Sequence, residues 1–203
     1  MLSPQLYIVA GPNGVGKSTL YPFLTESLVP ADIPYINADV IARQLNPSNP
    51  DAAVLEAEQL VNRQRGEFIA AKKSFIIETN LATNGSYNLI EAAGKAGFDI
   101  ILLFLCLDDV NDCIRRVAIR VQEGGHFVPD EIIKHRYTYS LSLLKSNIVL
   151  FTKANLIDNT NSEMQLTAIT AKTKIEYISP NPPAWTVNVM QTISLLNTKH
   201  NRQ

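Results

Sequence analysis

Residues 6–19 run Leu6-Tyr7-Ile8-Val9-Ala10-Gly11-Pro12-Asn13-Gly14-Val15-Gly16-Lys17-Ser18-Thr19, and this stretch decides the fold. Leu6–Ala10 is a short apolar run stopped by a glycine, the pattern of a buried strand. Residues 11–18 match G-x-x-x-x-G-K-[ST] in full, between that strand and a helix expected over residues 17–28. In such a loop successive N–H groups turn inward and form a concave site for anions. The following helix adds the partial positive charge of its N-terminus. Lys17 is then placed to bridge the β- and γ-phosphates of a nucleoside triphosphate, and Ser18 to ligate magnesium. The expected nucleotide-binding set is Gly11, Pro12, Asn13, Gly14, Val15, Gly16, Lys17, Ser18 and Thr19.

Working outward, strands and helices alternate. Pro34–Ala38 reads as a second short strand ending at Asp39, and Asp51 as the cap of a long helix with Val54, Ala57, Val61, Phe68 and Ala71 at helical intervals. Ser74–Ile77 reads as a third strand ending at Glu78, followed by a helix over 86–96. Asp99–Leu107 is apolar on both faces, as a central parallel strand should be. Helices are expected at about 110–122 and 130–145, flanking the loop Glu123–Pro129. Asn147–Phe151 reads as a fifth strand, and Lys174–Ile178 as a possible edge strand. This predicts an α/β fold of the P-loop NTPase type, a mostly parallel five-stranded sheet sandwiched by helices. Residues 1–160 form the expected core, with a lid at about 115–130, and residues 161–203 a small C-terminal extension packing on it.

The bulk composition narrows the partners. The chain has 203 residues, enough for one substantial core. Apolar residues make up 46% and charged residues 18%, which is a folded rather than a disordered balance. A net charge of −1 provides no field favouring nucleic acid or an anionic membrane, so neither is expected as a partner. Cys106 and Cys113 match no zinc or redox spacing, and a buried structural thiol in a reducing compartment is expected. No basic segment precedes Leu6, and the run Ile100–Leu107 is too short to span a bilayer. A cytoplasmic location is expected.

In parallel α/β sheets ligands bind beyond the carboxyl ends of the strands. Asp39 stands at one such end, where a carboxylate can take the proton of a substrate hydroxyl facing the γ-phosphate. It can equally cap a helix over 40–45. Glu78, Thr79 and Asn80 stand at another end and suit hydrogen bonding to substrate, water-mediated magnesium ligation, or a plain strand-end turn. Asp108 and Asp109 read as caps of the next helix. Arg115, Arg116 and Arg120 crowd one helix, with Arg116 and Arg120 one turn apart. Guanidinium groups so placed suit a phosphoryl group between them, or a solvated face paired with Asp112 or Glu123. Gly124-Gly125-His126 reads as a lid whose histidine can reach phosphate. Arg136 is a further candidate for facing the nucleotide, while Arg63 and Arg65 read as exposed.

Together these blocks resemble the zeta-toxin family of P-loop kinases, with wider kin among small-molecule kinases such as chloramphenicol phosphotransferase. The matching residues are Gly11–Thr19, INAD at Ile36–Asp39, FIIETN at Phe75–Asn80, and RRVAIRVQEGGHFVPDEIIKHRY at Arg115–Tyr137. The resemblance implies that Asp39 is the catalytic base and that Glu78 and Thr79 contact a sugar substrate. It implies that Lys17 and Ser18 hold triphosphate and metal, and that Arg116 or Arg120 stabilises the transferred group. His126 falls where well-studied zeta toxins carry a second phosphate-clamping arginine. The family phosphorylates UDP-N-acetylglucosamine and is held inactive by an antitoxin, so an antitoxin-like protein partner is a further expectation.

The expected function is therefore a magnesium- and ATP-dependent kinase of a small hydroxylated metabolite, with a UDP-sugar as the first acceptor. GTP is the less expected nucleotide, because Thr152-Lys153-Ala154-Asn155 is a poor match to a guanine-reading NKxD signature. A kinase of polynucleotide ends and a nucleotide-gated protein-binding module are the competing functions.

Overall fold

The computed structural model describes residues 3–19, 30, 32–161 and 163–200. The helix expected over 17–28 is described only at its first turn, Lys17–Thr19, and the rest of it lies outside the described residues. The strands are β1 (Gln5–Ala10), β2 (Tyr35–Ile36), β3 (Phe75–Thr79), β4 (Asp99–Cys106), β5 (Lys153–Asp158), β6 (Gln165–Ala171) and β7 (Lys174–Ile178). The helices are numbered from α1 (Ala38–Leu45) and α2 (Val54–Ala70) through α3 (Asn84–Lys95) and α4 (Val110–Gln122) to α5 (Asp130–Asn147) and α6 (Ala184–His200).

The seven strands form one sheet in the order β2-β3-β1-β4-β5-β6-β7. The first five in that order run parallel, and β6 and β7 close the edge antiparallel. The fold is thus the α/β, P-loop NTPase-like arrangement expected; beyond the five strands anticipated for the core, β7 is the expected edge strand and β6 is an additional one.

Alternation along the central strands builds two cores. Leu6, Ile8, Phe75, Ile77, Leu102 and Phe104 face one side, with Val61 of α2, Ile90 of α3 and Val189 and Ile193 of α6. Tyr7, Val9, Ile76, Leu103 and Leu105 face the other, with Val117 of α4 and Ile133 of α5. Successive side chains of a strand point to opposite faces, so covering both faces requires apolar residues at nearly every position. Each large side chain buried in this way contributes about 1.5–3 kcal/mol.

Two expectations about these elements need correction. Asn147–Phe151 is not a strand: Ile148–Leu150 form a 3-10 turn, with Ile148 and Phe151 buried in the first core. The fifth strand begins six residues after Asn147, at Lys153. Asp51 does not cap the long helix, since α2 follows a 3-10 turn over Pro50–Ala53 and has no side-chain cap bond. Beyond residue 160, the expected edge strand Lys174–Ile178 is β7, β6 pairs beside it, and α6 returns to the core. Trp185 of α6 donates through Nε1 to Asp158 Oδ1 at 3.2 Å, fastening this segment to the end of β5.

Candidate functional site at the carboxyl edge of the sheet

Register sets the strand ends side by side. Val9 and Ala10 of β1 lie opposite Glu78 and Thr79 of β3, and Cys106 of β4 opposite Asp158 of β5. The loop from Gly11 to Ser18 therefore emerges between Glu78–Asn80 on one side and residues 107–109 and 159–160 on the other.

Two loop glycines are dictated by close approach. Gly14 has φ +81°, and a Cβ there would drive into the main chain of Cys113 on α4. Gly16 has φ +94°, and a Cβ there would lie 2.6 Å from Asn159 Nδ2. That side chain donates to the Val15 carbonyl at 2.9 Å, and the Asn159 N–H donates to the Cys106 carbonyl at 3.1 Å. Asn159 thus ties the phosphate loop to the β4 and β5 ends. The sequence pattern does not point to Asn159, because the apolar signal lies at 147–151 rather than in the strand Lys153–Asp158 that it follows.

Lys17 is buried, and its Nζ donates to the carbonyls of Gly11 at 2.8 Å and Pro12 at 2.9 Å, and to Asn80 Oδ1 at 3.1 Å. Burial pulls its pKa from 10.5 down to about 8; the Glu78 carboxylate opposes this shift, and Arg120 and Arg136 reinforce it. Arg120 and Arg136 thus both lie close enough for their charge to act on Lys17. Arg136 Nη1 also donates to Asn13 Oδ1, inside the loop, at 2.9 Å.

The folded chain binds fewer protons at Lys17 than the unfolded chain between pH 8 and 10.5. Stability of the free protein should accordingly rise with pH through that window. Lys17→Met should flatten this rise in chemical unfolding at pH 8, 9 and 10. An unchanged slope would show that Lys17 is not the depressed group.

The other basic residues divide by partner. Arg116 Nη2 donates to the carbonyls of Asn159 at 2.8 Å and Thr160 at 2.9 Å, which braces the β5 end. Arg115 forms an ion pair with Asp112. Arg120 donates to the carbonyl of His126 at 3.1 Å. The His126 side chain is turned onto Asp51, with Nδ1 3.2 Å from its carboxylate, rather than toward the loop. Gly124 and Gly125 close the end of α4 by donating to the carbonyls of Val121 and Arg120, and Val128 anchors the segment in the second core. The pair of glycines therefore has a helix-ending job that a lid does not require.

Asn37, not Asp39, caps α1, accepting from the N–H groups of Asp39 at 2.8 Å and Val40 at 3.4 Å. The exposed Asp39 carboxylate is left without capping duty. Glu78 Oε2 accepts from the Tyr35 hydroxyl and from Asn37 Nδ2 at 3.1 Å, which locks the β2 and β3 ends together. Thr79 Oγ1 accepts from the Leu81 N–H at 3.1 Å and lies 3.2 Å from Ser86 Oγ. Asp109 caps α4 as expected, accepting from Asn111 N–H at 2.8 Å.

A cavity of about 500 Å³ opens beside this edge, between α2, α3 and the end of β3. Ala38, Thr79, Thr83 and Ser86 line it together with Glu58, Asn62 and Arg65 of α2. Arg63 is exposed as expected, but Arg65 is not: its Nε is buried without a hydrogen-bond partner. Among the described residues no group of three or more His, Cys, Asp or Glu side chains is arranged to hold a metal. No helix among them is long and apolar enough to cross a membrane.

Comparison with known proteins places this geometry. An uncharacterised protein of Haemophilus influenzae is 34% identical over 130 residues, spanning 63% of this chain and 88% of that protein. The PezAT chromosomal toxin-antitoxin system of Streptococcus pneumoniae gives a TM-score of 0.65 at 13% identity, over 97% of this chain and 88% of that one. The AvrRxo1-ORF1:-ORF2 complex with ATP gives 0.67 at 16% identity, over 93% of this chain and 64% of that one. At these identities the two structures share the fold with this chain. The AAA domain family matches residues 6–138, from the first strand through the phosphate loop to the helix that carries Arg136, and the chain belongs to that family.

Proposed function

We propose that this chain is a kinase that passes the γ-phosphate of ATP to a hydroxyl of a small metabolite. The observation that carries the proposal is the cavity at the end of β3, lined by Thr79, whose chain neighbour Asn80 accepts from Lys17 of the phosphate loop at 3.1 Å. A hydrolase needs only to position water, whereas a kinase needs room for an acceptor beside the triphosphate. At about 500 Å³ the cavity lies inside the range of roughly 300–1,000 Å³ common to small-molecule sites.

In this reading the loop N–H groups and Lys17 bind the triphosphate, and Asn80 holds Lys17 in place until it is bound. Arg120 and Arg136 neutralise charge on the group in transit. Arg116 and Asn159 position the loop from below. Asp39 accepts the acceptor's proton, a role its freedom from capping permits. Ser18, exposed at the end of the loop, would hold magnesium together with phosphate oxygens and water, as that ion prefers. Magnesium supplies charge neutralisation when bound. Glu78 works through Tyr35 and Asn37 to keep the acceptor side rigid, and Thr79 offers a hydroxyl to the acceptor. His126 ties its loop to Asp51 and is not assigned to phosphate.

A UDP-sugar such as UDP-N-acetylglucosamine is the first acceptor to test, and an antitoxin-like protein the first partner, on the resemblance in Gly11–Thr19, Ile36–Asp39 and Arg115–Tyr137. Asp39→Asn should lower transfer by about 10²–10⁴ while leaving ATP affinity near its original value. Calorimetry and single-turnover transfer, run in parallel, measure both. Full transfer activity in the mutant would remove Asp39 from the mechanism.

A further inference from the structure

The cavity wall on α2 carries Glu58, Asn62 and Arg65, spaced i, i+4 and i+7, so all three share one helix face. A rise of about 1.5 Å per residue sets Arg65 roughly 10 Å along the axis from Glu58. α2 feeds directly into β3 and runs against the parallel strands, so its N-terminal end lies toward the carboxyl edge of the sheet. Glu58 is thus near the mouth and Arg65 deep. Helical side chains lean toward the helix N-terminus, so Arg65 leans back up into the space. Ile69 and Ile77 form the apolar floor beneath it.

A guanidinium in that position needs an acceptor. Its Nε is sealed from solvent with no hydrogen-bond partner. Burial also pulls its pKa below the usual arginine range. A buried N–H left unpaired is destabilising, and the rest of this half-buried guanidinium lines the cavity, where an anion can pair with it. Phosphate and carboxylate both fit the planar fork of arginine.

We infer that Arg65 docks an anionic group of the acceptor, phosphate or carboxylate, at the deep end of the cavity. The reacting hydroxyl then lies at the mouth, beside Thr79 and Asp39. The inference rests on the kinase reading for the word acceptor, but the anion site itself does not. It makes Arg65 a specificity-determining residue, with Asn62 and Glu58 left for the hydroxyl groups between the two ends.

The test uses the full chain and matched ligands: N-acetylglucosamine, its 1-phosphate and UDP-N-acetylglucosamine for phosphate, glucose and gluconate for carboxylate. Affinities are measured by calorimetry without ATP, and transfer is measured with ATP. The wild-type chain should bind at least one anionic ligand about 10-fold or more tightly than its neutral counterpart. Arg65→Gln should weaken that ligand about 10- to 150-fold and leave ATP and neutral ligands unchanged. Arg65→Lys should recover part of the loss. The phosphate and carboxylate pairs tell which anion is read.

Equal binding of charged and neutral ligands by the wild-type chain overturns the inference without depending on any variant folding. So does a charge preference that survives in Arg65→Gln, or a failure of every anion to bind. Arg65-dependent anion binding with no phosphorylated product supports the anion site and counts against the kinase reading. Transfer to a neutral acceptor, indifferent to Arg65, does the reverse.

Discussion

Lys17→Ala is expected to abolish phosphoryl transfer and to weaken ATP binding about 10- to 150-fold, the effect of losing about 1.5–3 kcal/mol of charged hydrogen bonding. In the free protein this ammonium is folded onto the carbonyls of Gly11 and Pro12 and onto Asn80. Those partners hold it in the loop, while burial still pulls its pKa down to about 8. A triphosphate supplies the charge that is missing. The alanine variant should therefore keep its fold while losing nucleotide, a combination that thermal unfolding and calorimetry read separately. Loss of binding together with loss of the fold would instead make Lys17 a structural residue.

Arg120→Ala and Arg136→Ala should each lower turnover, toward the factor of about 10³–10⁵ seen when a charge-stabilising arginine is removed from phosphoryl transfer. Both charges bear on Lys17, and Arg136 also holds Asn13 within the loop. Arg116→Ala should behave differently. Its guanidinium holds the carbonyls of Asn159 and Thr160, so its loss should loosen the loop support and appear in nucleotide affinity and stability before turnover. Single-turnover rates at saturating ATP separate the two classes. A larger rate loss for Arg116 than for the other two would return it to the phosphoryl group.

The phosphate loop was legible because its chemistry and its position coincide within residues 6–19. β4 was legible because Ile100–Cys106 is a short unbroken apolar run with no helical or alternating break, the pattern of a strand buried on both faces. The fifth strand was not, and the reason is local. Lys153 is exposed and Asn155 is polar, though its side chain donates to the Leu102 carbonyl at 3.1 Å, and this hides the strand from an apolar pattern. The neighbouring run at 147–151 carries the apolar signal but uses it to pack a turn on the core. β6 is masked in the same way by Thr167 and Thr170, which are both buried; Thr167 satisfies its hydroxyl on the Leu156 carbonyl at 3.0 Å.

At the site, sequence pattern located the strand ends but not the partners they choose. Arg116 and Arg120 lie one turn apart, and only the placement of the β5 end shows that the first is held by main-chain carbonyls. Asn37 and Asp39 both suit a helix start, and the hydrogen bonds assign the cap to Asn37. Arg65 carries no local sign that distinguishes it from Arg63. Its setting arises because α2 faces α3 and the end of β3 across the cavity, a tertiary fact.

The most direct test of the kinase reading is to follow the γ-phosphate of labelled ATP in the presence of magnesium and a panel of hydroxylated metabolites led by UDP-N-acetylglucosamine. The expected result is label on a small acceptor, formed by the wild-type chain and not by Asp39→Asn. Tight ATP binding with only slow release of free phosphate, and no labelled acceptor across the panel, would contradict it and point to a chain whose nucleotide state gates a protein partner.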